Sequence, residues 1–261
     1  MYRRISRLVM KVVFVSSFLL APVAFSKVMA ADEHLHDLPQ HIQEAFGVLT
    51  KAQENYNQVQ DYTAEIYKEV FQGGEKQKEE RTIIKFQKPF KVYLKWIAGK
   101  NKGAELLYVE GENNNKIIVK KKGIIGVLGT MEMAPDGFWL RNFTKHSIKE
   151  AGFGGIIDKA WKQFKTAKEN NDIVSATCSL EQLDGHPAHK VVLVVSPQGR
   201  GNGYYCRAAI QYFDAESYLP IKSTFQLWDN DEVEVFTFDK VKLNAGLTAK
   251  DFDRGNKEYH F

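Results

Sequence analysis

The chain has 261 residues, with 36 Lys and Arg against 32 Asp and Glu, and two cysteines. Residues 1–30 hold five of the basic residues and no acidic one, so the formal +4 belongs to that segment and the remainder stands at −1. A near-neutral body lacks the basic footprint of a nucleic-acid binder, and a chain of this length can bury a core without staples.

Arg3, Arg4, Arg7 and Lys11 precede an apolar run from Val12 to Phe25, broken by Ser16, Ser17 and Pro22. A basic start and about 14 apolar residues read as a secretory signal, since a membrane-spanning helix needs roughly 20. Val28-Met29-Ala30 places the cut after Ala30, and no cysteine near it offers a lipid anchor. The expectation is a signal peptide over 1–30 and a single exported domain over 31–261.

A polar lead with His34, His36 and His41 follows. Imidazole is a common metal ligand, but so close behind a cut these residues read as a frayed segment. Leu38, Ile42, Ala45, Phe46, Leu49, Ala52, Tyr56 and Val59 then recur at steps of three and four, which predicts an amphipathic helix, with Asp37 as its N-cap.

From Asp61 the period changes to two. Strands are expected over 62–71, 82–87, 90–97, 104–110 and 116–122, with a turn at Gly73-Gly74. The connections are too short for crossover helices, so neighbours pair antiparallel. A second helix is expected from Ser147, with Glu150 completing a capping box and Phe153, Ile156, Ile157, Trp161 and Phe164 forming its apolar stripe. Gly152, Gly154 and Gly155 weaken its first turns and mark it as a candidate for mobility. Further strands are expected over 173–183, 188–196, 204–214, 219–228 and 233–243, with a turn at Asp184-Gly185; Thr248 then caps a short turn ahead of the aromatic Tyr259–Phe261. Ten or eleven strands and two helices without a linker predict an α+β domain, a large curled antiparallel sheet packed on helices.

No G-x-S-x-G elbow, P-loop, H-E-x-x-H or paired C-x-x-C occurs, so no catalytic residue, metal or cofactor is assigned and a non-enzymatic role is expected. His186 and His189 flank a hairpin turn, Gly199, Gly201 and Gly203 join two strands with no helix to cradle a phosphate, and Asp229, Asp231, Glu232 and Glu234 read as a solvated strand end. Cys178 and Cys206 fall two strands apart, where pairing requires strong local curvature, so a disulfide between them stays open.

Two features stand out. Phe90, Val92, Leu94 and Trp96 share one face of a strand, as core or as the floor of a ligand cavity, and periodicity does not separate the two. Residues 76–122 carry thirteen Lys or Arg against five Asp or Glu, ending in Lys120, Lys121 and Lys122. Lysines guard sheet edges, and such a half also suits docking on an anionic membrane or an acidic partner.

Lys88-Pro89-Phe90-Lys91-Val92-Tyr93-Leu94-Lys95-Trp96, Gly103-Ala104-Glu105-Leu106-Leu107-Tyr108-Val109, His146-Ser147-Ile148-Lys149-Glu150-Ala151-Gly152, Tyr218-Leu219-Pro220-Ile221 and Leu247-Thr248-Ala249-Lys250-Asp251-Phe252-Asp253 together resemble LolA-like periplasmic proteins. The closer resemblance is to a bacterial domain family of unknown function grouped with them. It implies an unclosed half-barrel of about eleven antiparallel strands around lid helices and, with the signal peptide, a periplasmic protein; a monomer is expected. The function it implies is binding of lipid or lipoprotein acyl chains, and the strand face read above then offers Phe90, Val92, Leu94 and Trp96 as the ligand-lining residues. The other implied role is an envelope-stress sensor or regulatory interaction module binding an inner- or outer-membrane protein, and the basic half read above then offers Lys120, Lys121 and Lys122 as docking residues.

Overall fold

The computed structural model describes residues 39–121, 129–137, 146–229 and 231–261. The expected signal peptide, His34, His36, Asp37 and Lys122 lie outside the described residues. The first helix, α1 (Gln40–Gln58), begins behind Pro39, which occupies the N-cap position without a side-chain hydrogen bond. Its expected stripe is buried at Ala45, Phe46, Leu49 and Ala52, joined by Val48.

Among the described residues eleven strands follow: β1 (Asp61–Gln72), β2 (Glu75–Gln87), β3 (Lys91–Ala98), β4 (Glu105–Val109), β5 (Ile117–Lys120), β6 (Met131–Met133), β7 (Ile173–Leu183), β8 (His186–Val195), β9 (Ala208–Asp214), β10 (Pro220–Gln226) and β11 (Val233–Leu243). They form one antiparallel sheet in the order β6-β5-β4-β3-β2-β1-β11-β10-β9-β8-β7. Both halves of the chain wind as meanders and meet where β1 pairs with β11, and the sheet does not close, because β6 and β7 are its two edges.

Tight turns set the register. Gly73 and Gly74 both take positive φ in the β1–β2 turn, as do Asp184 and Gly185 between β7 and β8, the geometry that matches a two-residue turn to the twist of its strands. Strand β2 starts at Glu75, seven residues before its apolar pattern does. The charged stretch Glu75–Arg81 is strand because β1 continues opposite it, with Lys76 bonded to Glu69 at 2.6 Å across the pair.

The second helix, α2 (Gly152–Glu169), starts later than expected. Ser147 instead caps a single 3-10 turn, Ile148–Glu150, by accepting from the Lys149 N–H at 3.3 Å. The glycines there serve close approach. A Cβ on Gly152, whose φ is +74°, would lie 1.8 Å from the Tyr62 hydroxyl, and one on Gly155 would lie 1.9 Å from the Glu150 carbonyl. The Phe153 N–H donates to Tyr62 Oη at 3.1 Å, so α2 is seated directly on β1. The two helices meet through Phe46, which packs on Trp161 and Phe164. No helix among the described residues is long and apolar enough to cross a membrane.

The opposite face of the sheet is covered near β3–β5. There Tyr93, Leu107, Val109 and Ile118 pack against Phe252 and Tyr259, with Leu247 and Phe261 alongside. Thr248 caps the 3-10 turn Ala249–Phe252 through a capping box with Asp251. The two thiols are free: Cys178 is half-buried on β7, and Cys206, just before β9, is buried and bonded to Gln163. The pairing left open by the sequence is not made.

Candidate functional site

Alternation along β1, β2, β3 and β11 sends Ile66, Thr82, Leu94, Trp96, Phe236 and Phe238 to the face under α2, where with Ile156 and Phe225 they bound a cleft of about 130 Å³. Two of the four residues expected to line a cavity, Leu94 and Trp96, do so. Val92 is fully buried, and Phe90 lies before β3, edge-on to Phe86 and Tyr108. Val92 belongs to the packed core and Phe90 is half-buried, and neither lines the cleft.

The same cleft holds a charged cluster in a mainly apolar wall, and the buried Glu80, paired with Lys78, lines it as well. Lys68, on β1, stands where alternation calls for an apolar residue and is 9% exposed. Its ammonium lies 2.7 Å from Glu234 Oε1, and Glu234 is 1% exposed. His146 lies between two pairs of charges. Its Nε2 is 3.2 Å from both Lys68 Nζ and Glu234 Oε2, while its Nδ1 is 3.3 Å from Lys159 Nζ and 3.7 Å from Glu150 Oε2. Lys159 in turn meets Glu150 Oε2 at 2.5 Å, and the Tyr205 hydroxyl donates to Glu234.

A buried charge persists only if it is paired and hydrogen-bonded. Burial by itself would raise the Glu234 carboxyl, but the His146 hydrogen bond and the Lys68 charge outweigh it and hold the group well below the usual carboxylate range. Glu150 is brought down to about 2, chiefly by the His146 ring beside it, with Lys159 adding to the effect against partial burial. Burial, then the adjacent Glu234 charge, pushes the Tyr205 phenol far above its ordinary value. The reading of Glu234 as part of a solvated strand end is thereby corrected: Asp229 and Asp231 pair with Arg200 and Arg207 at the surface, whereas Glu234 points inward among aromatic rings.

Other expected residues fall elsewhere. His41 is exposed at the start of α1, His186 is exposed and His189 stacks on Tyr218 at 4.7 Å. Gly199 and Gly201 lie in a 3-10 turn, Pro197–Asn202, with Gly203 at its end. Lys120 ends β5 and is half-buried, as is Lys121 beside it. Much of the basic half is internally matched: Lys78 pairs with Glu80, Arg81 with Glu65, Lys85 with Asp251 and Lys95 with Glu105.

Among the described residues, an unclosed antiparallel sheet with two helices on one face and a cleft between them makes an architecture of the half-barrel kind, the fold that the sequence resemblance implies. The chain belongs to the family described as a protein of unknown function, DUF1571, whose model matches residues 59–261. No curated protein matches it. Similar solved structures include a LolA superfamily protein from Nitrosomonas europaea, 11% identical over 80% of this chain and 97% of that one, TM-score 0.37. The Mycobacterium tuberculosis lipoprotein LppX is 10% identical over 80% and 98%, TM-score 0.46. The MucA/MucB complex of Pseudomonas aeruginosa is 13% identical over 81% of this chain and 61% of that one, TM-score 0.44.

Proposed function

We propose that this is an exported, periplasmic binding or carrier protein that takes aliphatic chains into the cleft between α2 and the sheet. The observation that carries the reading is the lining: Ile66, Leu94, Trp96, Ile156, Phe236 and Phe238 converge on one space beneath a helix that rests on the sheet. Aromatic and branched walls without a matching internal side chain suit a flexible apolar guest.

Size limits what the cleft takes as it stands. At about 130 Å³ it is close to the ~150 Å³ cavity that admits one benzene, about six carbons. Six methylenes contribute roughly 5 kcal/mol before ordering costs, which supports sub-millimolar binding. A longer chain therefore has to part α2 from β1, and its affinity carries that cost.

Native mass spectrometry of gently purified protein, followed by displacement of a fluorescent fatty acid, tests the reading. Co-purifying lipid or saturable displacement supports it, and the absence of both removes it. The docking reading of Lys120, Lys121 and Lys122 has less behind it, because neighbouring basic side chains are tied up in ion pairs within the sheet.

A further inference from the structure

Glu80 and Glu150 line the cleft and Glu234 lies behind its wall; Glu80 is buried and already held by Lys78 and Asn101, so the contrast that matters is between Glu234 and Glu150. Glu234 is sealed, with Lys68, His146 and Tyr205 on its oxygens and 1% of its side chain exposed. Glu150 is at the rim, its side chain 40% exposed, on a single 3-10 turn rather than on the sheet. Its cationic partners are more deeply set than it is, since Lys159 is 23% and His146 19% exposed. The buried Lys68 charge is matched from within the sheet, whereas among the described residues the carboxylate that pairs with Lys159 is Glu150 at the rim.

Resting on the acyl-binding reading, we infer that the cleft selects anionic amphiphiles, a carboxylate or phosphate on an aliphatic chain, and that Glu150 is an internal competitor for the headgroup position. An incoming anion that replaces Glu150 against Lys159 leaves the charge balance of the cleft unchanged. A hydroxyl headgroup would leave a partly buried ammonium without its counter-charge, which is costly, and a cationic headgroup would be repelled by it. The N-terminus of the 18-residue α2, whose Gly152 and Gly155 line the cleft, adds a positive dipole end to the same place.

The test is calorimetric binding of four twelve-carbon probes below their micellar concentrations: dodecanoate, dodecyl phosphate, dodecanol and dodecyltrimethylammonium. The expected result is that the two anions bind at least tenfold tighter than dodecanol, with dodecyltrimethylammonium weakest, and the order of the anions tells carboxylate from phosphate recognition. Glu150→Gln should tighten the anions at least threefold and leave dodecanol unchanged, whereas Lys159→Met should erase the preference. Equal binding of dodecanol and dodecanoate, or weaker anion binding in Glu150→Gln, overturns the headgroup inference and leaves the acyl reading standing. Failure of all four probes to bind removes the acyl reading itself. Should Glu150→Gln fail to fold, the ranking of the four probes on the unaltered protein decides.

Discussion

A carboxylate as enclosed as Glu234 keeps its charge only because Lys68, His146 and Tyr205 all converge on it. The pair with Lys68 is no sign of high stability, since desolvating two ions offsets much of their attraction, but removing one partner strands the other. Glu234→Leu should therefore destabilise the protein by about 3–5 kcal/mol in urea unfolding, and adding Lys68→Met should recover at least about half of the loss. Acid should act through the same groups. Glu150 and Glu234 are both held below the ordinary 4.5, so their contribution is fully present above that value and is lost as pH falls through the folded-state one. Thermal unfolding midpoints should decline from pH 4.5 down to about 2, where Glu150 titrates, and Glu150→Gln should show a shallower decline.

At the level of elements, periodicity made α1, the apolar stripe of α2 and most of the strands legible. The start of α2 was not, because Ser147 and Glu150 fit a capping box by spacing while the chain bends once more at Ala151, so that Gly152 can descend on Tyr62. The three-residue β6 is too short to show a period, and charged Glu75–Arg81 is strand only through its partner. The site was partly readable. Lys68, Glu80 and Glu234 each occupy the inward position of an otherwise apolar alternation, on β1, β2 and β11, a signal visible only once three strands are compared. His146 and Lys159 carry no such mark, since the fold alone brings them to Glu234 and Glu150. The packing of α2 makes its own prediction. Gly152→Ala combines a positive φ with a clash at the Tyr62 hydroxyl and should cost about 3 kcal/mol. Gly201→Ala, with nothing within 4 Å of the new Cβ, should stay within about 0.5 kcal/mol.

Across the whole molecule the two faces of β3 serve different ends. Leu94 and Trp96 look into the cleft, while Tyr93 looks the other way and stacks on Tyr259 with ring centroids 3.8 Å apart. The segment carrying Tyr259 is fastened at both sides of that ring: Lys85 meets Asp251 at 2.9 Å, and the buried Glu105 accepts from the His260 backbone N–H at 3.0 Å and contacts its Nδ1 at 2.6 Å. This strap closes apolar surface that the helices do not reach, so its energetics belong to folding and those of the cleft to binding. Tyr259→Ala should therefore lower stability by about 3 kcal/mol, as large aromatic truncations in a core do, while leaving the dissociation constant of a bound fatty acid within twofold. Leu94→Ala, on the reverse side of the same strand, should change that constant severalfold because it widens the cleft directly. If Tyr259→Ala shifted fatty-acid binding as strongly as Leu94→Ala at a temperature where both variants are folded, the sheet would be transmitting strain between its faces and the separation of roles would be wrong.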